Sequence, residues 1–258
     1  MAKTYKNRLT IVLLLLSVAV SSAAHAGTVS IADAYWGGTP DKNGGTQVAS
    51  AATGADVIGA SVFDIQGMDV TLTGNILTVK VNTNYSNKSG PVSGTVYGDL
   101  LISTTGWHPY TAAGCGAAQF YACDTFANTG TNWNYAVDTS TGGLYAIARG
   151  NIITTDQAFG VTQPGWTYRT GQATLINGGT FAGAASFDDS HAGVGGYLVY
   201  TVDVSSLGPL ATLALQWNMI CGNDTMQGEV SVPEPSTGLL MASGLLALLG
   251  FRRRLRLS

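Results

Sequence analysis

Across the middle of the chain, apolar and polar residues alternate with a period near two, the signature of half-buried strands rather than helices. Val70-Thr71-Leu72-Thr73 and Ile76-Leu77-Thr78-Val79-Lys80-Val81 flank Gly74-Asn75, a two-residue turn that predicts a hairpin. Asn134–Val137 and Leu144–Ile147 flank Ser140-Thr141-Gly142-Gly143 in the same way. From Tyr197 to Val204, Leu198, Tyr200, Val202 and Val204 alternate with Val199, Thr201 and Asp203, and Leu213, Leu215, Trp217 and Met219 share one face of a further strand. Gly-Gly pairs at 37–38, 44–45, 142–143, 178–179 and 195–196 punctuate the pattern as turns. Residues 27–231 contain no apolar 3.6-residue period sustained beyond three turns. The pattern predicts an all-β body built as a single β-sandwich or jelly roll.

Two unbroken apolar runs stand outside this pattern, one near each end. Leu9–Val20 follows Lys3, Lys6 and Arg8 and precedes Ala24-His25-Ala26, the order of a secretory signal peptide. Small residues at Ala24 and Ala26 predict cleavage by signal peptidase before Gly27. As a signal helix the run spans about 18 Å, too short for a hydrocarbon core of about 30 Å. At the other end, Val232-Pro233-Glu234-Pro235 leads into Gly238–Phe251, and Arg252, Arg253, Arg254 and Arg256 follow. The prolines keep residues 232–235 extended and open to an enzyme. The run predicts a short transmembrane helix with snorkelling arginines as a cytoplasmic basic stop. Three segments follow: 1–26 as signal peptide, 27–231 as body and 232–258 as tail.

The ordered tail resembles the PEP-CTERM sorting signal, with Pro233-Glu234-Pro235 as signature, Gly238–Phe251 as helix and Arg252–Arg256 as basic end. The resemblance implies recognition by an exosortase, a membrane-embedded cysteine transpeptidase-like enzyme, in a Gram-negative bacterium that makes exopolysaccharide. It implies transient anchoring in the inner membrane through the C-terminal helix, cutting near Pro-Glu-Pro and delivery to the cell surface or extracellular matrix. The body is similar to exosortase-dependent surface proteins along Tyr97-Gly98-Asp99-Leu100-Leu101-Ile102-Ser103, Gly106-Trp107 and Trp217–Asp224, a likeness that carries no activity.

Charge sharpens the picture. Only 10% of the 258 residues are charged, about two-fifths of the usual share. Between Asp33 and Glu229 there are fourteen acidic residues against five basic ones, Lys42, Lys80, Lys88, Arg149 and Arg169, so the body carries a net charge of −9. Such a body repels nucleic acid, which is excluded as a partner.

Candidate chemistry is sparse. Cys115, Cys123 and Cys221 fall in the exported segment, where oxidation is permitted. The expected bridge is Cys115–Cys123, closing a nine-residue loop and stabilising by roughly 2–3 kcal/mol; a bridge from Cys221 to either one competes with it. Asp188-Asp189-Ser190-His191 lacks the spacing of a Ser-His-Asp triad, and no Gly-x-Ser-x-Gly is present. Asp188 and Asp189, with Asp224, are weak calcium candidates against the simpler reading of a polar turn. His108 and His191 have no metal-ligand spacing, so neither a metal nor another cofactor is expected. Carboxylate pairs such as Asp64/Asp69 or Asp99/Asp203 could serve a glycan hydrolase, but nothing selects them from the other acids. Trp107 and Trp166 lie in loop-like segments and are the candidates for stacking on exopolysaccharide, whereas Trp217 sits in a core strand. The expectation is a non-catalytic surface or matrix protein, with a carbohydrate-binding module as the alternative and a glycan-active hydrolase behind it.

Overall fold

The computed structural model describes residues 27–35, 37, 47–50, 55–112, 121, 123–208 and 210–232. The predicted signal and transmembrane helices lie outside the described residues, as do Ala24, Ala26, Cys115, Pro233, Glu234, Pro235 and the four tail arginines. No helix among the described residues is long and apolar enough to cross a membrane.

Gly74-Asn75 closes the predicted hairpin: Ile65–Thr73 (β4) and Ile76–Thr83 (β5) pair antiparallel, with Thr73 opposite Ile76. Tyr135–Asp138 (β7) and Gly143–Ala146 (β8) form the second predicted hairpin. Gly196–Asp203 (β12) pairs along its whole length with β5. Thr212–Asn218 (β13) joins Leu100–Ser103 (β6) on one side and Thr225–Ser231 (β14) on the other. Thr28–Ala32 (β1) pairs with β4, and Thr180–Asp188 (β11) completes the set. Together they form one antiparallel sheet in the order β1-β4-β5-β12-β11-β8-β7-β6-β13-β14. Two small hairpins accompany it: Gln47–Ser50 (β2) with Ala55–Ile58 (β3), and Ile152–Thr154 (β9) with Ala173–Ile176 (β10).

The all-β expectation holds, but the two separate sheets of a sandwich are replaced by one sheet folded over on itself. The physical reason is β11. Its first half, Thr180–Ala184, pairs with β8, and its second half, Ala185–Asp188, pairs with β12. The ladder with β8 slips between Phe181 and Gly183, just before the strand passes from one half of the sheet to the other between Ala184 and Ala185. Met68, Val70, Val79, Val81, Leu198 and Val202 from one half then share a core with Leu100, Ile102, Val137, Leu213, Leu215 and Trp217 from the other. The sheet is nearly closed: Gly228 of β14 lies against Ile31 of β1, although these edge strands form no ladder.

The two halves differ in how they meet water. β5 and β12 alternate strictly, one face in the core and one outside, where Lys80 pairs with Asp69 at 3.8 Å and lies over the Tyr197 ring. β6 and β13 are buried on both faces. Their outer face is covered by Trp133, Ile152 and Ala173, which pack on Leu101, Ala136 and Ala214. Gln216 and Asn218 also point to that face, and both donate to the Ala173 carbonyl. These bonds satisfy the buried amide donors, and Gln216 Oε1 accepts from Gln227, while Asn218 Oδ1 has no hydrogen-bond partner.

One polar chain crosses the core between the halves. Trp217 Nε1 donates to Tyr200 Oη at 2.8 Å, Tyr200 Oη meets Thr139 Oγ1 at 3.1 Å, and Thr139 Oγ1 donates to the Gly98 carbonyl at 2.7 Å. Gly98 has no alternative, because a Cβ there would stand 2.4 Å from the Asn218 carbonyl. Replacing Tyr200 by Phe should remove the acceptor of the Trp217 N–H, and a buried unsatisfied donor costs about 1–3 kcal/mol. Urea denaturation of Tyr200→Phe against wild type measures this; an unchanged midpoint would show that the chain contributes nothing to holding the halves together.

Candidate functional site

The residues singled out from sequence do not converge. Trp107 is half-buried and braced: its Nε1 donates to Gln227 Oε1 at 2.9 Å, its backbone N–H donates to Glu229 Oε2 at 2.8 Å, and its ring packs edge-on against Tyr35 and Tyr121. Trp166 is displayed, with half of its surface exposed, at a cavity of about 250 Å³ also lined by Phe63, Phe159 and Asn223. Trp107 is not part of that lining. Asp188 is exposed and turned onto its own loop, accepting from the Ser190 N–H at 2.8 Å and from Ser190 Oγ at 3.1 Å. These bonds hold its carboxyl below the ordinary range. Asp189 takes part in the same turn, its carbonyl accepting from the Ala192 N–H, while His191 stacks on Tyr197. The segment is the polar turn. Asp203 accepts from the Ser205 N–H, and Asp69 is held by Ser30, Asn82 and Lys80. Cys221 is a buried free thiol, so the pairing that would tie it to Cys115 or Cys123 is not formed. Burial pushes its thiol up to about 11.

The structure instead brings together three carboxylates that no local motif joins: Asp33, Asp64 and Asp224, with one oxygen of each within 4.8 Å of the others. Topology does the gathering. Asp33 follows β1, Asp64 precedes β4 and Asp224 precedes β14. β1 and β4 are antiparallel neighbours, so the end of one lies beside the start of the other. β4 enters through a bulge at Gly67, whose φ of +131° favours glycine and where a Cβ would stand 2.7 Å from the Ile31 carbonyl. Asp64 sits at the end of the 3-10 turn Ser61–Phe63. Asp224 is fixed by accepting the Ile65 N–H at 2.6 Å.

Burial distinguishes this cluster from an ordinary acidic surface. Asp224 is 0% and Asp33 only 4% exposed, while Asp64 is half-buried and accepts from Gln66 at 3.3 Å and Asn84 at 3.4 Å. Both carboxylate oxygens of Asp33 are inaccessible and have no hydrogen-bond partner. Burial first, then the charges of Asp224 and Asp64, push Asp33 up to about 9, against the opposing pull of Arg169. Arg169 is itself fully buried, donating to the carbonyls of Gly222 and Gly37. The sequence offers Asp224 as a weak calcium candidate beside Asp188 and Asp189, and Asp64 as a partner of Asp69, but nothing in it joins Asp224 to Asp64. Asp33 carries no local signal except its place between Ala32 and Ala34.

A second buried carboxylate has a structural task. Asp99 accepts the Thr139 N–H through Oδ1 and the Ile176 N–H through Oδ2, each at 2.8 Å, clasping β10 to the turn after β7. It borders a cavity of about 530 Å³ with Tyr97, Asp138 and Asp189. Burial pushes its carboxyl up to about 6.

Residues 231–254 match the PEP-CTERM protein-sorting motif, so the chain carries that sorting motif after its folded body. The match takes in Val232-Pro233-Glu234-Pro235 and Arg252–Arg254. The motif implies export, exosortase-dependent sorting to the cell surface, and a membrane-anchored C-terminal region before processing. No curated protein and no solved structure matches the chain.

The folded protein keeps the Asp99 proton up to about pH 6, the unfolded chain only to about pH 4. Between these values the folded state binds the extra proton, so this group's contribution to stability falls as the pH rises. Asp99→Asn removes that dependence and one of the two accepting oxygens. The variant should be destabilised by about 1–3 kcal/mol at pH 4.5, with a gap that narrows towards pH 7. Urea midpoints at the two pH values check both the sign and the size.

Proposed function

We propose that the protein is a non-catalytic component of the cell surface or extracellular matrix, released into the export pathway by signal peptidase and placed by an exosortase. The single observation that carries this reading is the position of the sorting motif. It begins at Ser231, the last residue of β14, so the tail starts where the folded body stops. At the other end, β1 begins at Thr28, one residue beyond the proposed cleavage before Gly27. Both processing points therefore fall outside the sheet, and neither cut requires a strand to unpair.

The absence of catalysis is supported by how the polar residues are used. His108 bonds to the Thr105 carbonyl, His191 stacks on a ring, and Asp99, Asp188 and Asp203 hold backbone N–H groups. With Cys221 buried as a free thiol, the remaining pair for a disulfide is Cys115–Cys123. Carbohydrate binding is the second reading, and the displayed ring of Trp166 beside its cavity favours it; Trp107 would act there only as a brace. On this reading Trp166→Ala abolishes retention on exopolysaccharide.

Removing Pro233–Ser258 tests the main reading, because it spares the Val232 N–H bond to the Ala211 carbonyl that finishes the body. The truncated protein should leave the surface fraction for the periplasm or medium while melting within about 2 °C of the processed wild type, a shift of 1 kcal/mol or less for a body of this size. An unchanged surface fraction would overturn exosortase sorting. Intact mass of the native protein, reduced and unreduced, should start at Gly27, end near residues 232–235 apart from any attached group, and differ by the two hydrogens of one disulfide.

A further inference from the structure

We propose that Asp33, Asp64 and Asp224 form a calcium site that closes the seam between the edge strands β1 and β14. Two independent features point to a cation. One is the cluster itself, three carboxylates from three separate loops with donor atoms no more than 4.8 Å apart, a spacing that oxygens about 2.4 Å from one shared ion span. The other is Asp33, whose two oxygens are both buried and both without a hydrogen bond. A buried carboxylate with no donor costs several kcal/mol, and native proteins pair such groups or place them on a metal.

The charges define the valence. With all three carboxylates ionised, as ligands of a cation are, and one buried guanidinium, that of Arg169, beside them, the site carries a local charge of −2. One divalent cation brings the site to neutrality. A proton on Asp33 would neutralise one carboxylate and still leave the other oxygen facing no donor. Every group in the cluster offers oxygen, and among the described residues no histidine or cysteine belongs to it, which selects a hard cation over zinc. Between the hard cations, magnesium gives up its water reluctantly, whereas calcium accepts six to eight oxygens in irregular arrangements. A site with one ligand fully buried and another almost so therefore favours calcium.

The location gives the ion a structural task. β1 and β14 approach one another through Ile31 and Gly228 without forming a ladder, and Asp33 and Asp224 adjoin their facing ends. An ion held by both supplies the cross-link that backbone hydrogen bonds do not. It also ties in β4 through Asp64. Calcium sites of extracellular modules work at about 10⁻⁴–10⁻³ M, so this seam would tighten after export.

The native protein purified from cells, stripped with EDTA and desalted, provides the test. Calcium chloride is added, bound metal is counted by mass spectrometry after removal of free ion, and melting is followed by circular dichroism. The expected result is about one calcium per chain and a melting midpoint raised by about 5 °C at saturation. Both effects should vanish in Asp33→Asn and Asp64→Asn and persist in Asp188→Asn, whose carboxylate belongs to an exposed turn. Because Asp33→Asn keeps the size of the side chain and adds no charge to the buried cluster, its calcium-free form should melt no lower than calcium-free wild type, which separates lost binding from misfolding. Substoichiometric calcium in the wild type, or binding that survives Asp33→Asn, overturns the site. Equal uptake of magnesium and an equal shift overturn the choice of calcium.

Discussion

The packing of Trp217 against Tyr97 and Tyr200 is the contact on which the rest of the body depends. It joins β13 to β12, strands with four others between them in the sheet order, and so measures how far the sheet must fold over. A sheet this wide, with so few charged residues, has one apolar face too large to leave in water. Tyr97, Phe187 and Tyr200 gather around Trp217 with ring centroids 4.9–6.4 Å apart, filling the space where the halves meet. The polar ends of Trp217 and Tyr200 then have to be satisfied inside the core, which requires Thr139 and a bare backbone at Gly98. The segments Tyr97–Ser103 and Trp217–Asp224 meet at this point. Tyr97 bridges to Met219, and the Gly98 N–H donates to the Asn218 carbonyl.

Folding the sheet over leaves β6 and β13 covered on both faces, and this determines where buried polarity collects. The covering segments are loops and the short β9–β10 hairpin, whose backbone groups need partners away from water. Asp99 satisfies two such N–H groups and Asp124 a third, that of Tyr110, while the Asp124 carboxylate also accepts from Tyr35 Oη. Arg169 does the complementary work for the carbonyls of Gly37 and Gly222. A body this poor in charge thus places several charged groups inside, as cross-links between loops rather than as a solvated surface.

This division explains what could be read from the sequence. β5 and β12 are legible because one face is wet, so Val79, Lys80 and Val81 alternate as a pattern. The turn at Gly74-Asn75 and the role of Trp217 follow from the same local logic. β6 is harder, since Leu100-Leu101-Ile102 is apolar on both faces and has no period. In β13, Gln216 and Asn218 mimic the solvent side of an alternating strand while lying buried against the Ala173 carbonyl. The closure into one folded sheet rests on β11 changing partners between Ala184 and Ala185, and its sequence Thr-Phe-Ala-Gly-Ala-Ala-Ser-Phe-Asp does not announce a corner. Asp33 and Asp224 are separated by most of the body's length and meet only because β1 and β14 become the two edges. No spacing rule reaches that far.

The edges also bear on how an exported sheet avoids associating through its unpaired backbone. Open edge strands recruit other chains unless something bends, charges or covers them. Here the two edges curl towards each other, so each shields the other's face without a ladder. Glu229, exposed on β14, is engaged by the Trp107 backbone, which folds a loop back onto the last strand. The same strand runs directly into the sorting motif. An edge held by side chains and a loop, rather than by a neighbouring strand, can fold as soon as its own chain is complete and still leave its end accessible to an enzyme. A terminal strand locked between two neighbours would place the start of the tail inside the sheet.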